Sequence, residues 1–330
     1  MARRLGAPPA CFRVPSPDET LVRLAPLLDD PGRAQAVAID PGTLERSAWF
    51  DGPGVRQCWL RAASPAAGLA GRAGSERFYA RVVESTRNPP QATLILGNGL
   101  GLEPELLPAG RDAAVRLAEA GWRVVEPVSP YHGLRTLPGT YGGEPFVAWG
   151  PEATLDLISG QALESALVIA WCRAAFGGPV ALAGISMTSF VAQHAASHAG
   201  RWSAAARPDG VLLISHSAAM AQVALDGALS RGLGVDRALV AAGWDRPTRA
   251  RIAAAIDPMP APAIAAERIV SVLGDTDRWL PVEGGAALAD RWRLPAANRF
   301  RYPLGHLGMP IQLLRDPAPL RQLRSVVSSG

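Results

Sequence analysis

The chain reads as an α/β protein with a doubly wound, mostly parallel sheet, and three features carry that reading. After Pro90, short apolar runs bounded by glycine alternate with helical stretches, in the order Thr93–Leu96, Pro104–Ala120, Trp122–Val128, Ala153–Phe176, Val180–Ile185, Thr188–His198 and Val211–Ser215. The runs are too short for helices and lack the polar alternation of a one-sided strand, as expected of parallel strands covered on both faces. Repeated strand–helix units of this kind build a doubly wound sheet. Finally, 48% apolar and 19% charged residues over 330 positions supply a large core and exclude intrinsic disorder.

The elements follow in order. Prolines recur through the first 70 residues (Pro15, Pro17, Pro26, Pro31, Pro41, Pro53, Pro65), which leaves room only for short helices such as Leu21–Leu28. Gly68–Gly74 reads as a linker. Glu76–Ser85 mixes aromatic and β-branched residues with charges, the pattern of a half-buried strand at a sheet edge. From Ala218 to Glu267 the alternation stops, and alanine-rich helical segments are broken by glycine and proline. Fifty residues are too many for an ordinary loop, so this stretch is expected to be a helical cap. A strand at Arg268–Leu273, a helix around Gly284–Trp292, a strand at Arg299–Pro303 and a helix from Pro310 to about Val326 complete the sheet. The predicted organisation is an irregular and helical extension at 1–75 that covers the sheet edge or donates its first strands, a core at 76–217 and 268–330, and a cap insertion at 218–267.

Composition narrows the function. All 33 basic residues are arginine, the net charge is +4, and the arginines are scattered from Arg3 to Arg324. Nucleic-acid binding would want a basic face with interleaved aromatics, which is not visible. No uninterrupted apolar run reaches the ~18 residues of a membrane-spanning helix; Thr154–Phe176 is broken by Asp156, Glu164 and Arg173. The first residues lack the apolar stretch of a secretory signal, so a reducing cytosol is the expected setting. Cys11, Cys58 and Cys172 are odd in number and far apart, matching neither a disulfide framework nor zinc-ligand spacing. Neither a metal nor a cofactor is expected.

Val180-Ala-Leu-Ala-Gly184-Ile-Ser186-Met-Thr188-Ser is the sharpest local signal: a buried strand, a lone serine, then a helix at once. That is the context of a nucleophile elbow, whose serine takes a strained backbone so that its hydroxyl projects above the sheet. The alternative is a serine capping the helix N-terminus. Thr188 stands two after Ser186, in place of the glycine of the usual Gly-x-Ser-x-Gly, and Ser189 stands where a second glycine is often found. Both carry a Cβ, so strand and helix are expected to sit slightly further apart.

A serine nucleophile needs a base. His194 and His198 lie one turn apart in the helix and read as surface or packing residues. His216 is expected near the rim, at the end of its strand. Only His306, in Leu304-Gly-His306-Leu-Gly, comes late enough for the order serine, acid, histidine. The acid is expected at the end of the preceding strand, in Leu273-Gly-Asp-Thr-Asp277, with Asp277 favoured and Asp275 serving the turn. The glycine-rich Gly97-Asn-Gly99-Leu-Gly101 follows another strand and suits an oxyanion site; the N–H groups of Met187 and Leu100 are nominated, with Asn98 in a secondary role. A dinucleotide loop fits less well, because no Gly-x-x-Gly continuation leads into a helix. His132 and Arg135 lie past another strand, either to orient a substrate anion or, for Arg135, to brace the loop through a carboxylate. Trp149, Trp244 and Trp279 read as lining for an apolar acyl pocket or as core.

Taken together from Pro90 to Pro310, the Gly-Asn-Gly-Leu loop, the Gly184-Ile-Ser186-Met elbow, the cap, Leu-Gly-Asp-Thr-Asp277 and Gly-His306-Leu-Gly stand in an order that resembles the α/β-hydrolases. Ser129-Pro-Tyr-His-Gly-Leu-Arg135 with Gly-Ile-Ser-Met also resembles the group typified by α/β hydrolase domain-containing protein 18, whose Gly-Gly after Ser-Met is Thr188-Ser189 here. The broad resemblance implies acyl transfer: Ser186 attacks a carboxylic ester or related acyl compound, His306 carries the proton, Asp277 holds His306, and water releases the acyl-enzyme. The other readings are a thioesterase, amidase or acyltransferase on the same residues, and a non-catalytic binding protein.

Overall fold

Alternation of buried and exposed residues begins earlier than the sequence suggested. In the computed structural model, which describes residues 11–101 and 112–328, the first strands are β1 (Glu45–Arg46), β2 (Phe50–Gly52) and β3 (Val55–Ala63). They lie within the stretch expected to be irregular and helical; of helix, that stretch holds α1 (Pro17–Asp29) and short 3-10 turns. β4 (Arg77–Ser85) was expected at an edge. It is instead interior, because β3 pairs antiparallel with all nine of its residues, from Val55 against Ser85 to Ala63 against Arg77.

The parallel part follows the predicted strands closely: β5 (Ala92–Gly97), β6 (Trp122–Pro127), β7 (Val180–Ile185), β8 (Gly210–Ile214), β9 (Ile269–Gly274) and β10 (Arg299–Tyr302). The sheet runs β1-β3-β4-β6-β5-β7-β8-β9-β10, with β2 on β3 and every pairing from β6 to β10 parallel. Every residue of β5, β7, β8 and β9 is buried, as burial on both faces requires. One face is covered by α2 (Ala113–Glu119), α12 (Met309–Arg315) and α13 (Ala318–Ser328). The other is covered by α4 (Glu152–Phe176), α5 (Met187–His198) and α11 (Val282–Arg291), after the short α3 (Glu144–Ala148). The predicted start of α2 at Pro104 lies outside the described residues. The single closing helix is two, because Pro317 cannot continue α12.

α4 is long and apolar enough to cross a membrane, but 94% of its most apolar window is buried inside the protein. A helix apolar all round belongs in a core. Its Glu164 is fully buried and takes both terminal nitrogens of Arg135, each at 2.9 Å. Between β8 and β9 lie five short helices: α6 (Met220–Asp226), α7 (Ala228–Leu233), α8 (Val235–Ala241), α9 (Arg246–Arg251) and α10 (Ala253–Ile256). The N-terminal strand of chain is strapped to them and to α3: Trp244 Nε1 donates to the Pro15 carbonyl (2.8 Å), and Trp149 Nε1 to that of Cys11 (3.1 Å).

Three histidines are buried as neutral rings. Burial holds His194 well below its ordinary pKa, aided by the neighbouring His198; it brings His198 to about 4 and His216 to about 3. The unfolded chain protonates such rings near pH 6.5 and the folded chain does not, so their contribution is complete above that pH and is lost as pH falls toward 4. His216→Gln removes one of these rings. Between pH 7 and 5 it should therefore lose about 2 kcal/mol less stability than the parent, measured by urea unfolding at both pH values. Parallel losses in the two proteins would exclude His216 as a source.

Candidate active site

β7 delivers Ser186 to the carboxyl end of the sheet in a backbone conformation rare for a side-chain-bearing residue, with φ 57° and ψ −115°. The Ser186 hydroxyl makes no capping bond to α5, so helix capping is not its role. The looser packing expected from Thr188 does not occur. A Cβ at Gly184 would lie 2.1 Å from the Thr188 carbonyl oxygen, so strand and helix are in close approach. The space for the Thr188 side chain comes from Gly97 on the neighbouring strand β5, where a Cβ would lie 2.6 Å from the Thr188 Cβ. Thr188 Oγ1 accepts the Ile185 N–H (2.9 Å) and donates to the Ile185 carbonyl (3.1 Å). Ser189 Oγ donates to the Ser186 carbonyl at 2.6 Å and lies 2.9 Å from that of Ser215.

His306 sits in a 3-10 turn (His306–Gly308) just after β10, and its ring bridges two elements. Ser186 Oγ donates to Nε2 (2.8 Å), and Nδ1 donates to Asp277 Oδ2 (2.7 Å). Asp277 is buried, and its Oδ1 accepts the N–H groups of Trp279 and Leu280, each at 2.9 Å. Burial pushes this carboxyl up; the bonds from His306 and the two N–H groups outweigh it and hold the group below the ordinary carboxylate range. Asp275 instead accepts from Arg301 Nε at 2.7 Å, tying the turn to β10. Gly274 lets the His306 loop close down, since a Cβ there would lie 2.5 Å from the Leu304 carbonyl.

Met187 and Leu100 line the cavity at Ser186. Burial raises the carboxyl of Glu126, against the lowering effects of Arg81 and, more weakly, of the side chain of the secondary candidate Asn98. The Gly101 N–H turns to His132 Nε2 (3.2 Å), while His132 Nδ1 donates to the Pro130 carbonyl (2.9 Å). His132 is thus buried and braces the glycine loop. Arg135 follows the second of its two readings: fully buried, it braces the loop through Glu164 and the carbonyls of Val128 and Ser75. His216 is not at the rim either; it is fully buried, with Nε2 2.7 Å from Ser271 Oγ. His194 and His198 pack against one another, ring centroids 4.5 Å apart.

Of the three tryptophans, Trp279 lines the cavity and packs 4.9 Å from the His306 ring; Trp149 and Trp244 serve the N-terminal strap. The sequence did not single out Phe146 and Val147 of α3, or Val223, Ala224 and Leu229 of α6–α7, which also line the cavity. Apolar residues in a helical stretch carry no mark that distinguishes a pocket wall from a core. Among the described residues, no group of three His, Cys, Asp or Glu side chains could hold a metal ion.

The Thr188–Gly97 contact can be tested by exchange. Gly97→Ala should cost about 1–3 kcal/mol by overpacking, and Thr188→Gly should remove most of that cost in the double variant. Additive costs in a urea double-mutant cycle would show that the two residues do not share this space.

No family model and no curated protein matches the chain. Solved structures do. Acetyl Xylan Esterase 1 from Thermoanaerobacterium sp. JW/SL YS485 aligns over 96% of both chains with a TM-score of 0.59 at 14% identity. An acetyl xylan esterase from Paenibacillus sp. R4 covers 96% of this chain and 97% of its own, with a TM-score of 0.58 at 12% identity. A cold-adapted esterase from an Arctic intertidal metagenomic library covers 84% of this chain and 97% of its own, with a TM-score of 0.51 at 13% identity. The narrower resemblance, to the group of α/β hydrolase domain-containing protein 18, finds no support in these comparisons. At such identities the likeness is one of architecture, and that architecture is the α/β-hydrolase fold.

Proposed function

We propose that the chain is a serine hydrolase that cleaves carboxylic esters through an acyl-enzyme intermediate. The observation that carries this is the continuous hydrogen-bonded path from Ser186 Oγ through His306 to Asp277, at 2.8 and 2.7 Å. In this reading Ser186 attacks the substrate carbonyl as its proton passes to His306 Nε2. Asp277 stays ionised, fixes the ring with Nδ1 protonated, and stabilises the imidazolium. The N–H groups of Met187 and Leu100 take the oxyanion, a contribution of about 2.7–4 kcal/mol per donor in comparable sites. His306 then protonates the leaving alcohol, and water, activated by the same ring, frees the acid. The helical stretch between β8 and β9 serves as the cap over this site. The esterases with the same fold support an ester as the substrate.

A fluorophosphonate probe should label the protein, and Ser186→Ala should abolish both labelling and turnover of p-nitrophenyl acetate. Asp277→Asn, which leaves the geometry but favours the wrong ring tautomer, should lower kcat by about 10⁴-fold. Labelling that survives Ser186→Ala would reject the serine as nucleophile.

A further inference from the structure

We infer, resting on the function just proposed, that Val223, Ala224 and Leu229 wall an acyl pocket that restricts the serine to esters of short, uncharged acids and leaves the alcohol half open. The cavity at Ser186 has a volume of about 40 Å³, against the roughly 300–1,000 Å³ of pockets that take drug-sized ligands. Among the described residues, the polar side-chain groups on its lining besides the Ser186 hydroxyl are the Trp279 indole N–H and the Ser230 hydroxyl. That hydroxyl is already committed, lying 2.7 Å from the Ala224 carbonyl and 3.1 Å from that of Val223. A charged acyl group would therefore lose its hydration and find no side chain of opposite charge among the described lining residues.

The side of the serine on which each half of the ester lies follows from proton transfer. The leaving alcohol must stand beside His306 to receive its proton, and His306 is not part of the cavity lining. The acyl group is left with the cavity. On the His306 side the neighbouring Leu307 is 69% exposed, so the alcohol faces solvent.

A wall selects by size only if it stays in place. α6 is pinned at its start, where Ala219 N–H donates to Ser217 Oγ (3.1 Å) and Ala221 N–H to Asp257 Oδ1 (2.8 Å). At its end Ser230 staples α7 back onto it. Gly227, between the two helices, allows that fold-back, since a Cβ there would lie 2.4 Å from the Val223 carbonyl.

The test compares kcat/KM on p-nitrophenyl acetate, butyrate, octanoate and hemisuccinate, after fluorophosphonate labelling has established a reactive Ser186 in each protein. The parent should prefer acetate over octanoate and over hemisuccinate by at least about 100-fold, since even one methylene changes kcat/KM about 10- to 200-fold. Leu229→Ala and Val223→Ala should each narrow the acetate-to-octanoate ratio at least about tenfold, and Leu229→Phe should lower butyrate relative to acetate. A parent that takes octanoate or hemisuccinate as well as acetate overturns the pocket, whatever the variants do. So does a chain-length profile that none of the three variants moves. Absence of labelling at Ser186 removes the hydrolase reading itself, whereas labelling with a flat profile removes only the pocket.

Discussion

Ser186 occupies a backbone conformation that costs about 1–3 kcal/mol, and the site exists only because its surroundings enforce that conformation. Enforcement comes from both sides. Below, the Ser186 N–H donates to the Ile214 carbonyl (3.0 Å), locking the turn to β8. Behind, the Thr188 and Ser189 hydroxyls bind backbone groups on either side of the serine. The tight approach at Gly184 leaves the turn no other course. The hydroxyl is thereby aimed at one point in space, and the His306 loop, closed down by Gly274, meets it there.

The supporting shell is built from groups that could have been read as substrate contacts. His132 turns a ring nitrogen to the Gly101 N–H, so the imidazole shapes the glycine loop from beneath. Arg135 and Glu164 form a fully buried, two-pronged ion pair that also gathers the carbonyls of Val128 and Ser75 and the Ser64 hydroxyl. Removing one partner of such a pair strands the other charge, which typically costs about 3–5 kcal/mol. These residues fix where the loops lie, and they are buried, Arg135 fully so.

Much of this was legible in the sequence because the physics is local. A strand buried on both faces leaves an unbroken apolar run, and β7 was read to the residue at Val180–Ile185. The positions of Ser186, Asp277 and His306 at strand ends follow from strand–turn–helix patterning, and the chain order alone singled out His306. What stayed hidden depends on partners remote in sequence. Nothing around Glu76–Ser85 announces that Val55–Ala63 will pair with it. Nothing around Thr188 reveals that the missing glycine has moved to position 97, on the neighbouring strand. His216 and Arg135 look like rim residues until the fold covers them. The pocket wall was invisible for the opposite reason: Val223, Ala224 and Leu229 look like any buried helix face.

The strap at the N-terminus joins residues that are born far apart. Pro15 waits for Trp244, 229 positions later, and Cys11 for Trp149, 138 positions later. Contacts of such span close large loops and slow the search for the native arrangement. During synthesis residues 11–15 therefore emerge long before the tryptophans that hold them, and they settle only after those partners have left the ribosome.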